Sequence, residues 1–221
     1  MSSFALETRT RREQVTEHLR MEILKGLRKP DSFLREAELS KEFGVSRGPI
    51  REAIRDLEKE GLVNVQPYAK TTVASVTLPQ LLDVYELRSA IEKKAFELVW
   101  AHRGDDFHHE IHRRHNALLD AVGSKRGDAV VEAEQHFHGL PYEYCRNDLL
   151  LEFWRQISRR LRLCFHLHSE VFSNSDDYAN AHITYKEMAC GDSLDEMYRE
   201  IDDHLSKGRA LIEGAFSNTQ K

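Results

Sequence analysis

Two short helices separated by only three residues are the feature that most constrains the N-terminal fold. A helix is predicted over residues 36–43, and Gly44 suits the left-handed conformation that commonly ends a helix. Ser46 is a favourable N-cap for a second helix over residues 47–60, in which apolar residues recur at i, i+3, i+4 and i+7: Ile50, Ala53, Ile54 and Leu57. This arrangement is typical of a helix-turn-helix.

The flanking segments predict the rest of a winged helix-turn-helix domain. Residues 11–24 carry one apolar stripe at four-residue spacing, which indicates an amphipathic helix before the pair. Two short strands are predicted over residues 62–66 and 71–75, joined by a turn at residues 67–70. The N-terminal domain is therefore assigned to residues 8–76, with a small β-hairpin as its wing.

The second helix of the pair carries arginines at four-residue spacing along one side. In a winged helix-turn-helix this helix enters the major groove, where its first turn reads base edges, while other side chains and the wing contact phosphates. We predict contacts in the major groove from the start of the helix, and phosphate contacts from its later part and from the wing. The groove candidates are Ser46, Arg47, Gly48 and Arg51, and the phosphate candidates are Arg55 and Lys70.

The arginine row also has a plainer interpretation. Arginines at this spacing describe a solvated helix face whose charges pair with neighbouring acids, here Glu52, Asp56 and Glu58. Periodicity alone does not choose between a DNA-reading face and a solvated one.

Charge is divided unevenly along the chain. The formal net charge is −5, which argues against a nonspecific polyanion binder. Residues 1–77 carry 14 basic and 12 acidic side chains, whereas residues 78–221 carry 18 basic and 25 acidic ones. A near-neutral module joined to an acidic one fits a DNA reader with a separate sensing or dimerising domain, because local clusters contact phosphates.

The remainder of the chain predicts a bundle of about six antiparallel helices, so the fold class is mainly α. This second domain is assigned to residues 78–217. Breaks rich in Gly, Asp, Asn and Ser separate the helices, which are predicted over residues 78–102, 106–122, 128–144, 148–171, 177–190 and 193–216.

Other protein classes are disfavoured by composition. The sequence has no run of about 18 apolar residues and no apolar run near its start that is long enough for a signal peptide, so we expect a cytoplasmic protein without a membrane association. Its three cysteines have no CxxC spacing, so a disulfide framework or a thiolate zinc site is not expected.

Histidine is abundant, and four residues of the second domain make a candidate metal set. Glu134 and His138 are four positions apart on one helix and so point the same way, while His182 and His204 lie on the fifth and sixth helices. Three imidazoles and one carboxylate suit zinc, nickel, manganese or iron. Each histidine taken singly is more simply explained as a core or surface side chain with a satisfied ring nitrogen.

A second histidine cluster is interpreted as a solvated helix face. His108, His109, His112 and His115 lie within one predicted helix, but they do not form the HExxH motif because position 113 is Arg.

A long motif resembles the DNA-binding domain of GntR-family transcriptional regulators. The run ELSKEFGVSRGPIREAI at residues 38–54, followed by Leu57 and EGLV at residues 60–63, carries the resemblance, which spans about residues 10–76. The resemblance implies a winged helix-turn-helix whose operator contacts are carried over to Ser46, Arg47 and Arg51.

Two positions depart from the pattern of that family. The wing tip has Tyr68-Ala69-Lys70, whereas that of the family usually contains an Arg-Gly pair, and position 48 is Gly where Thr is common. The first departure puts minor-groove insertion by the wing in doubt, and the second predicts an altered base preference.

The second half resembles the FCD ligand-binding domain of the FadR branch of the same family. This looser resemblance covers residues 78–216. It is carried by Glu134-x-x-x-His138 with Phe137 just before the histidine, by Asn147 at the start of the next helix, and by the Ala-His pair at 181–182, the Gly-Asp pair at 191–192 and His204 twelve residues further on. It implies a dimer-forming helical bundle whose metal is held by one Asp and three His, carried over to Glu134, His138, His182 and His204. Glu in place of Asp moves the carboxylate by about 1.5 Å, so either its rotamer adapts or metal affinity falls.

The resemblance also implies an effector, usually a small carboxylate or hydroxy acid bound near the metal. Arg88, within Arg-Ser-Ala-Ile-Glu, resembles the R-x-x-[IL]-E pattern of the family and is the first candidate for holding a carboxylate, unless it only pairs with Glu92. Arg159 on the fourth helix of the bundle is a second candidate, facing either a cavity or solvent.

These observations together predict a homodimeric, sequence-specific repressor that binds palindromic half-sites about 34 Å apart and responds to an organic acid. One alternative is a metal-dependent hydrolase or lyase that uses the Glu/His set, although no separate general base or nucleophile is identifiable. Another keeps DNA binding but makes the metal purely structural.

Overall fold

The computed structural model describes residues 9–66, 70–124, 126–167 and 176–219. The chain forms two compact units, Met1–Ser75 and Val76–Lys221. The mainly α fold with one small hairpin confirms the predicted fold class.

The described part of the first unit contains three helices and a two-stranded antiparallel sheet. Thr10 and Glu13 form a capping box at its start, in which each side chain bonds the backbone of the other residue. Val63 pairs with Val73 in the sheet, and Phe33 adds an isolated bridge to Thr72 that the sequence did not predict. The elements are α1 (Arg11–Leu24), α2 (Glu36–Phe43), α3 (Arg47–Lys59), β1 (Val63–Val65) and β2 (Thr71–Val73).

The turn between α2 and α3 has the backbone that the sequence predicts. Gly44 has a φ of 62°, the left-handed conformation that glycine adopts without a steric penalty. The Ser40 hydroxyl donates to the Val45 carbonyl at 2.6 Å and so stabilises the turn. Ser46 occupies the N-cap position of α3, but its side chain makes no capping hydrogen bond and remains exposed.

Packing of α1 on α3 organises this unit. The apolar stripe of α1, which includes Leu19, is buried, and fully buried side chains from the rest of the unit complete the core: Leu39, Ile50, Leu57 and Leu62. Two ion pairs border the contact, from Arg12 to Asp56 and from Arg20 to Glu60, each with two short hydrogen bonds. Asp56 therefore pairs chiefly with α1 rather than with the arginine row of α3.

The second unit contains six helices among its described residues. Its first helix starts at a second capping box, between Thr77 and Gln80, and stops three residues before the predicted end, where a 3-10 turn (Trp100–His102) follows. Residues 168–171 of the predicted fourth helix lie outside the described residues. The helices are α4 (Leu78–Val99), α5 (Asp105–Ser124), α6 (Gly127–Tyr144), α7 (Asp148–Leu167), α8 (Asp176–Cys190) and α9 (Leu194–Thr219).

The six helices share one hydrophobic core. Helix α4 packs against α6, α7 and α9, while α5 packs against α6 and α8. Aromatic side chains at 0 to 1% exposure fill the centre: Phe96, Phe137, Tyr142 and Tyr185. Among the described helices, none is long and apolar enough to cross a membrane.

Arg103 contacts the backbone at the end of α8, next to the Gly-Asp pair at 191–192. The Arg103 guanidinium donates to the carbonyls of Ala189 and Gly191, at 3.1 and 2.7 Å, and lies 3.3 Å from the centroid of the Trp100 ring. These contacts satisfy carbonyls that the end of α8 leaves unpaired within the helix.

The interpretation of the histidine cluster on α5 as a solvated face is wrong for His115. Its side chain is buried at 3% exposure, and its ring centroid lies 5.9 Å from that of Phe137, whereas His109 and His112 are exposed. His108, His112 and His115 share one helix face, along which His108 is half-buried, His112 is exposed and His115 is buried.

Burial of His115 predicts an acid-sensitive contribution to stability. Burial lowers the pKa of His115 from 6.5 to about 4, with smaller effects from nearby Lys186 and His182. The folded protein thus keeps this imidazole neutral at pH values where the unfolded chain binds a proton. The contribution is complete above pH 6.5 and is lost as the pH falls toward 4.

We therefore expect the melting temperature of a His115→Gln variant to fall less steeply than that of the wild type between pH 6.5 and 4. His109→Gln, at an exposed position of the same helix, should retain the wild-type slope. Thermal unfolding across a pH series measures both slopes, and an unchanged slope in His115→Gln would contradict the assignment.

Candidate metal centre and nucleic-acid interface

Three helices bring the four candidate metal ligands to one point inside the second unit. Helix α6 supplies Glu134 and His138 on one face, α8 supplies His182, and α9 supplies His204. All four side chains are buried, with exposures between 0 and 8%, and one potential ligand atom from each lies within 4.8 Å of the others.

The distances between these atoms are those of ligands around a cation. His138 Nε2 lies 3.2 Å from Glu134 Oε1, 3.3 Å from His182 Nε2 and 3.1 Å from His204 Nε2. A single N–H on His138 cannot donate to all three neighbours. Ligand atoms about 2.0–2.2 Å from a metal are separated from one another by about 3.0–3.5 Å, so a divalent ion fits this donor set.

Neighbouring groups orient two of the ligands. His182 Nδ1 lies 2.7 Å from the Tyr178 carbonyl, which only accepts hydrogen bonds, so Nδ1 carries the proton and Nε2 presents a lone pair to the centre. The Tyr178 hydroxyl donates to Glu134 Oε2 at 2.5 Å, and the same oxygen lies 2.8 Å from His182 Nε2.

Glu92 lies behind His138, a position that sequence reasoning missed. Its Oε1 is 3.4 Å from His138 Nδ1 and accepts a 2.5 Å hydrogen bond from the Tyr185 hydroxyl, while its Oε2 accepts one from Arg88 Nε at 2.8 Å. Burial opposes ionisation, but Arg88 and these hydrogen bonds lower the pKa of Glu92 to about 2. The available signal was its i+4 spacing from Arg88 on an apolar helix face.

The protonation states of Glu134 and His204 suit metal binding. At His138, by contrast, burial and the charge of Arg88 lower the pKa, but the carboxylates of Glu134 and Glu92 outweigh them and raise it, so a metal would have to displace its proton. Burial raises the pKa of Glu134, but the imidazoles of His182 and His138 outweigh it and hold that pKa well below its usual range. Burial and the same two imidazoles hold the pKa of His204 well below its usual value. An ionised carboxylate and a neutral imidazole are the forms that bind a metal. The longer side chain of Glu134 also reaches both of its histidine neighbours, at 3.2 Å from His138 Nε2 and 2.8 Å from His182 Nε2.

A cavity of about 590 Å³ opens onto the centre. Arg88 lines it with 2% of its surface exposed, and Nη2 of Arg88 has no hydrogen-bond partner among the described residues. Arg159 is exposed on α7 and is not one of the described residues that line the cavity. The walls are largely apolar or aromatic, with residues that include Tyr85, Phe165, Tyr178, Leu205, Ala210 and Leu211.

The predicted DNA-reading residues lie on the surface of the first unit. Lys70 is exposed beside the wing, with its ammonium 4.7 Å from the centroid of the Phe33 ring, while the wing tip at residues 67–69 lies outside the described residues. Arg51 donates two hydrogen bonds to Glu36 on α2, a partner that the solvated-face interpretation did not name. The exposed candidates on α3 and at its start are Ser46, Arg47, Gly48, Arg51 and Arg55.

Comparison with known families agrees with both halves of this description. Residues 11–73 match the family described as bacterial regulatory proteins, gntR family, and residues 83–207 match the FCD domain. The chain belongs to the GntR family of regulators that carry an FCD domain. Relatives with this architecture are named transcriptional regulators and repressors, so the protein is a DNA-binding regulator, and the hydrolase or lyase alternative is not supported.

Two curated relatives and one solved structure illustrate the similarity. The uncharacterized HTH-type transcriptional regulator YdhC of Bacillus subtilis is 28% identical over 152 residues, covering 68% of each chain. The gluconate operon transcriptional repressor of Bacillus licheniformis is 25% identical over 139 residues, covering 63% of this chain and 57% of the relative. The structure of E. coli McbR/YncC has the same fold, with a TM-score of 0.68 at 18% identity over 95% of this chain and 100% of that chain.

The donor set predicts stabilisation by a divalent metal. We expect Zn²⁺ or Ni²⁺ to raise the melting temperature of chelator-treated protein, because an ion that binds only the folded state adds about 2.7 kcal/mol at 100 times its dissociation constant. His138→Ala should abolish the rise, since Nε2 of His138 touches all three other ligands. His109→Ala serves as the control, and an equal response in both variants would place the ion elsewhere.

Proposed function

We propose that the protein is a cytoplasmic, homodimeric repressor of the FadR subfamily, in which a metal ion and an organic acid bound in the FCD domain control operator binding. One observation carries this proposal. Members of the buried Glu/His set line the same cavity as Arg88, which is buried and has no hydrogen-bond partner at Nη2 among the described residues, in a chain that also carries a GntR DNA-binding domain.

The exposed start of α3 supports direct reading of an operator. Ser46, Arg47 and Gly48 are exposed, and none of them is required for the core of the unit. Arginine forms paired hydrogen bonds with guanine in the major groove, and exposed cations near the wing suit phosphate contacts. A reading helix in each of two protomers would contact half-sites about 34 Å apart.

The surface of α7 supports a second copy of the chain as partner. Leu149 and Phe153 lie one turn apart on this helix with 62% and 40% of their surfaces exposed. Helix α7 also exposes a basic set, and α4, which packs beside it, exposes Asp83 and Glu86. The basic set is Arg155, Arg159 and Arg160. In a two-fold interface each protomer contributes the same patch, so the interface would cover the apolar pair and bring opposite charges together.

The cavity supports an organic acid as effector. Arg88 bonds Glu92 through Nε, which leaves its Nη2 available to a carboxylate. A metal held by Glu134 and the three histidines would supply a second positive charge to a carboxylate or hydroxyl group of the effector. The apolar walls then surround the remaining carbon atoms of the ligand.

Control of DNA binding follows from linkage. If the effector binds the DNA-competent and DNA-incompetent states with different affinity, it changes operator affinity, and operator binding changes effector affinity by that same factor. The proposed direction is release of the operator by the effector, in keeping with the repressors among the relatives.

Selection of bound sequences from a random duplex library by purified protein tests the reading function. We expect enrichment of one palindrome, and we expect Arg47→Ala to bind that duplex at least roughly tenfold more weakly, because one good base contact is worth about 1–3 kcal/mol. Arg113→Ala, an exposed arginine of the other unit, is the control. Unchanged affinity in Arg47→Ala would remove the proposed reading residue, and absence of any enriched palindrome would contradict reading by a dimer.

Calorimetric titration of metal-loaded protein tests the effector site with gluconate, citrate, lactate and octanoate as probes. We expect at least one acid to bind, and Arg88→Lys to weaken it roughly tenfold, because lysine keeps the charge but loses the planar fork. Arg159→Lys, outside the described cavity lining, should leave binding unchanged. A protein that is stabilised by metal but binds none of these acids would favour a purely structural ion.

A further inference from the structure

An ion pair on the reading face joins α2 to α3. Arg51 Nε donates to Glu36 Oε1 at 3.0 Å, and Arg51 Nη2 donates to Glu36 Oε2 at 2.9 Å. The side chains are 57% and 34% exposed, so the pair contributes little to stability. Its two parallel hydrogen bonds nevertheless restrict the orientation of the guanidinium.

The pair occupies one particular edge of the guanidinium. Arginine has five N–H donors in a rigid plane, and Glu36 accepts from the side that carries Nε and Nη2. The end formed by Nη1 and the second hydrogen of Nη2 stays available. These two parallel N–H groups match the O6 and N7 acceptors of guanine.

Glu36 also lies close to the rest of the arginine row. The hydrogen bond from Arg51 is the largest cause that lowers the pKa of Glu36, and the charges of Arg47 and Arg55 lower it further. The row on α3 therefore surrounds a carboxylate that repels phosphate groups. Phosphate contacts supply affinity without sequence information, so a negative charge at this position lowers nonspecific binding.

We propose that Glu36 is a positioning residue for sequence recognition: it orients Arg51 so that the free end of the guanidinium reads a guanine, and it opposes nonspecific contact of the row with phosphates. The inference rests on the proposed role of Arg51 in reading DNA. An arginine fixed in this way gives up less side-chain entropy when it meets its base.

The matched pair Glu36→Gln and Glu38→Gln tests this proposal in the full-length protein. Both glutamates are in the first turn of α2, and both bond an exposed arginine, Arg51 and Arg35 respectively. The two substitutions therefore remove the same charge from the same helix end, and only one of them releases Arg51. Glu36→Ala is included because glutamine retains one acceptor that can still bond arginine.

The measurement is fluorescence anisotropy with the palindrome selected by the wild type and with a scrambled duplex of equal length. We expect the ratio of the two affinities to fall roughly tenfold in Glu36→Gln and further in Glu36→Ala, while binding to the scrambled duplex is unchanged or tighter. Glu38→Gln should keep the wild-type ratio. Repeated library selection with Glu36→Ala should show lost preference at one guanine position of each half-site.

The variant Arg51→Ala distinguishes a failure of the proposed DNA reading by Arg51 from a failure of its proposed positioning by Glu36. If Arg51→Ala discriminates as well as the wild type, the proposed reading role of Arg51 is wrong. If Arg51→Ala loses discrimination while both Glu36 variants keep it, Arg51 reads DNA without positioning by Glu36, and this inference is overturned. The ratio of the affinities for the palindrome and the scrambled duplex could also fall as much in Glu38→Gln as in Glu36→Gln. That result would assign the effect to charge at the start of α2 and would likewise overturn this inference.

Discussion

The second unit buries four polar side chains at one point, and all four need compensating charge or hydrogen bonds there. Glu134, His138, His182 and His204 leave α6, α8 and α9 and meet where water has little access. Burying a carboxylate among imidazoles costs free energy unless positive charge and hydrogen bonds compensate it. A divalent cation would meet this requirement with all four groups at once and would tie three helices to one point. The aromatic side chains around the centre, including Phe137 and Tyr185, exclude water and maintain that geometry.

A chain of polar contacts connects His138 with Arg88, a residue of the cavity lining, through Glu92. Glu92 lies against His138, and Arg88 and Tyr185 both bond Glu92. Arg88 also lines the cavity, and its Nη2 has no hydrogen-bond partner among the described residues. The proposed metal ligand and the proposed carboxylate anchor thus share one carboxylate. An anion that draws on Arg88 changes the charge balance at Glu92 and therefore at His138, which gives a physical route by which an effector and a metal would influence each other.

The first unit solves a different problem, because its candidate functional residues are exposed. The core of α1, α2 and α3 is complete without Ser46, Arg47 or Gly48, so these positions are available for a ligand. Exposure leaves an arginine side chain with many conformations, and for Arg51 the ion pair to Glu36 on α2 limits them. Burial therefore fixes the orientation of the candidate side chains in the second unit, whereas an ion pair fixes that of Arg51 in the first unit.

Local order was largely determined by the sequence. The bounds of α2 and the starts of α3, α4 and α7 follow from capping residues, apolar spacing and Gly44, which act within a few residues. The four candidate ligands were likewise named from spacing and resemblance. Only the tertiary structure decided that Glu92 lies behind His138, that His115 is buried, that Glu36 holds Arg51 and that Arg159 stays outside the described cavity lining. Periodicity reports which side of a helix faces inward, but it does not report which distant side chains meet there, because that depends on packing between elements far apart in the chain.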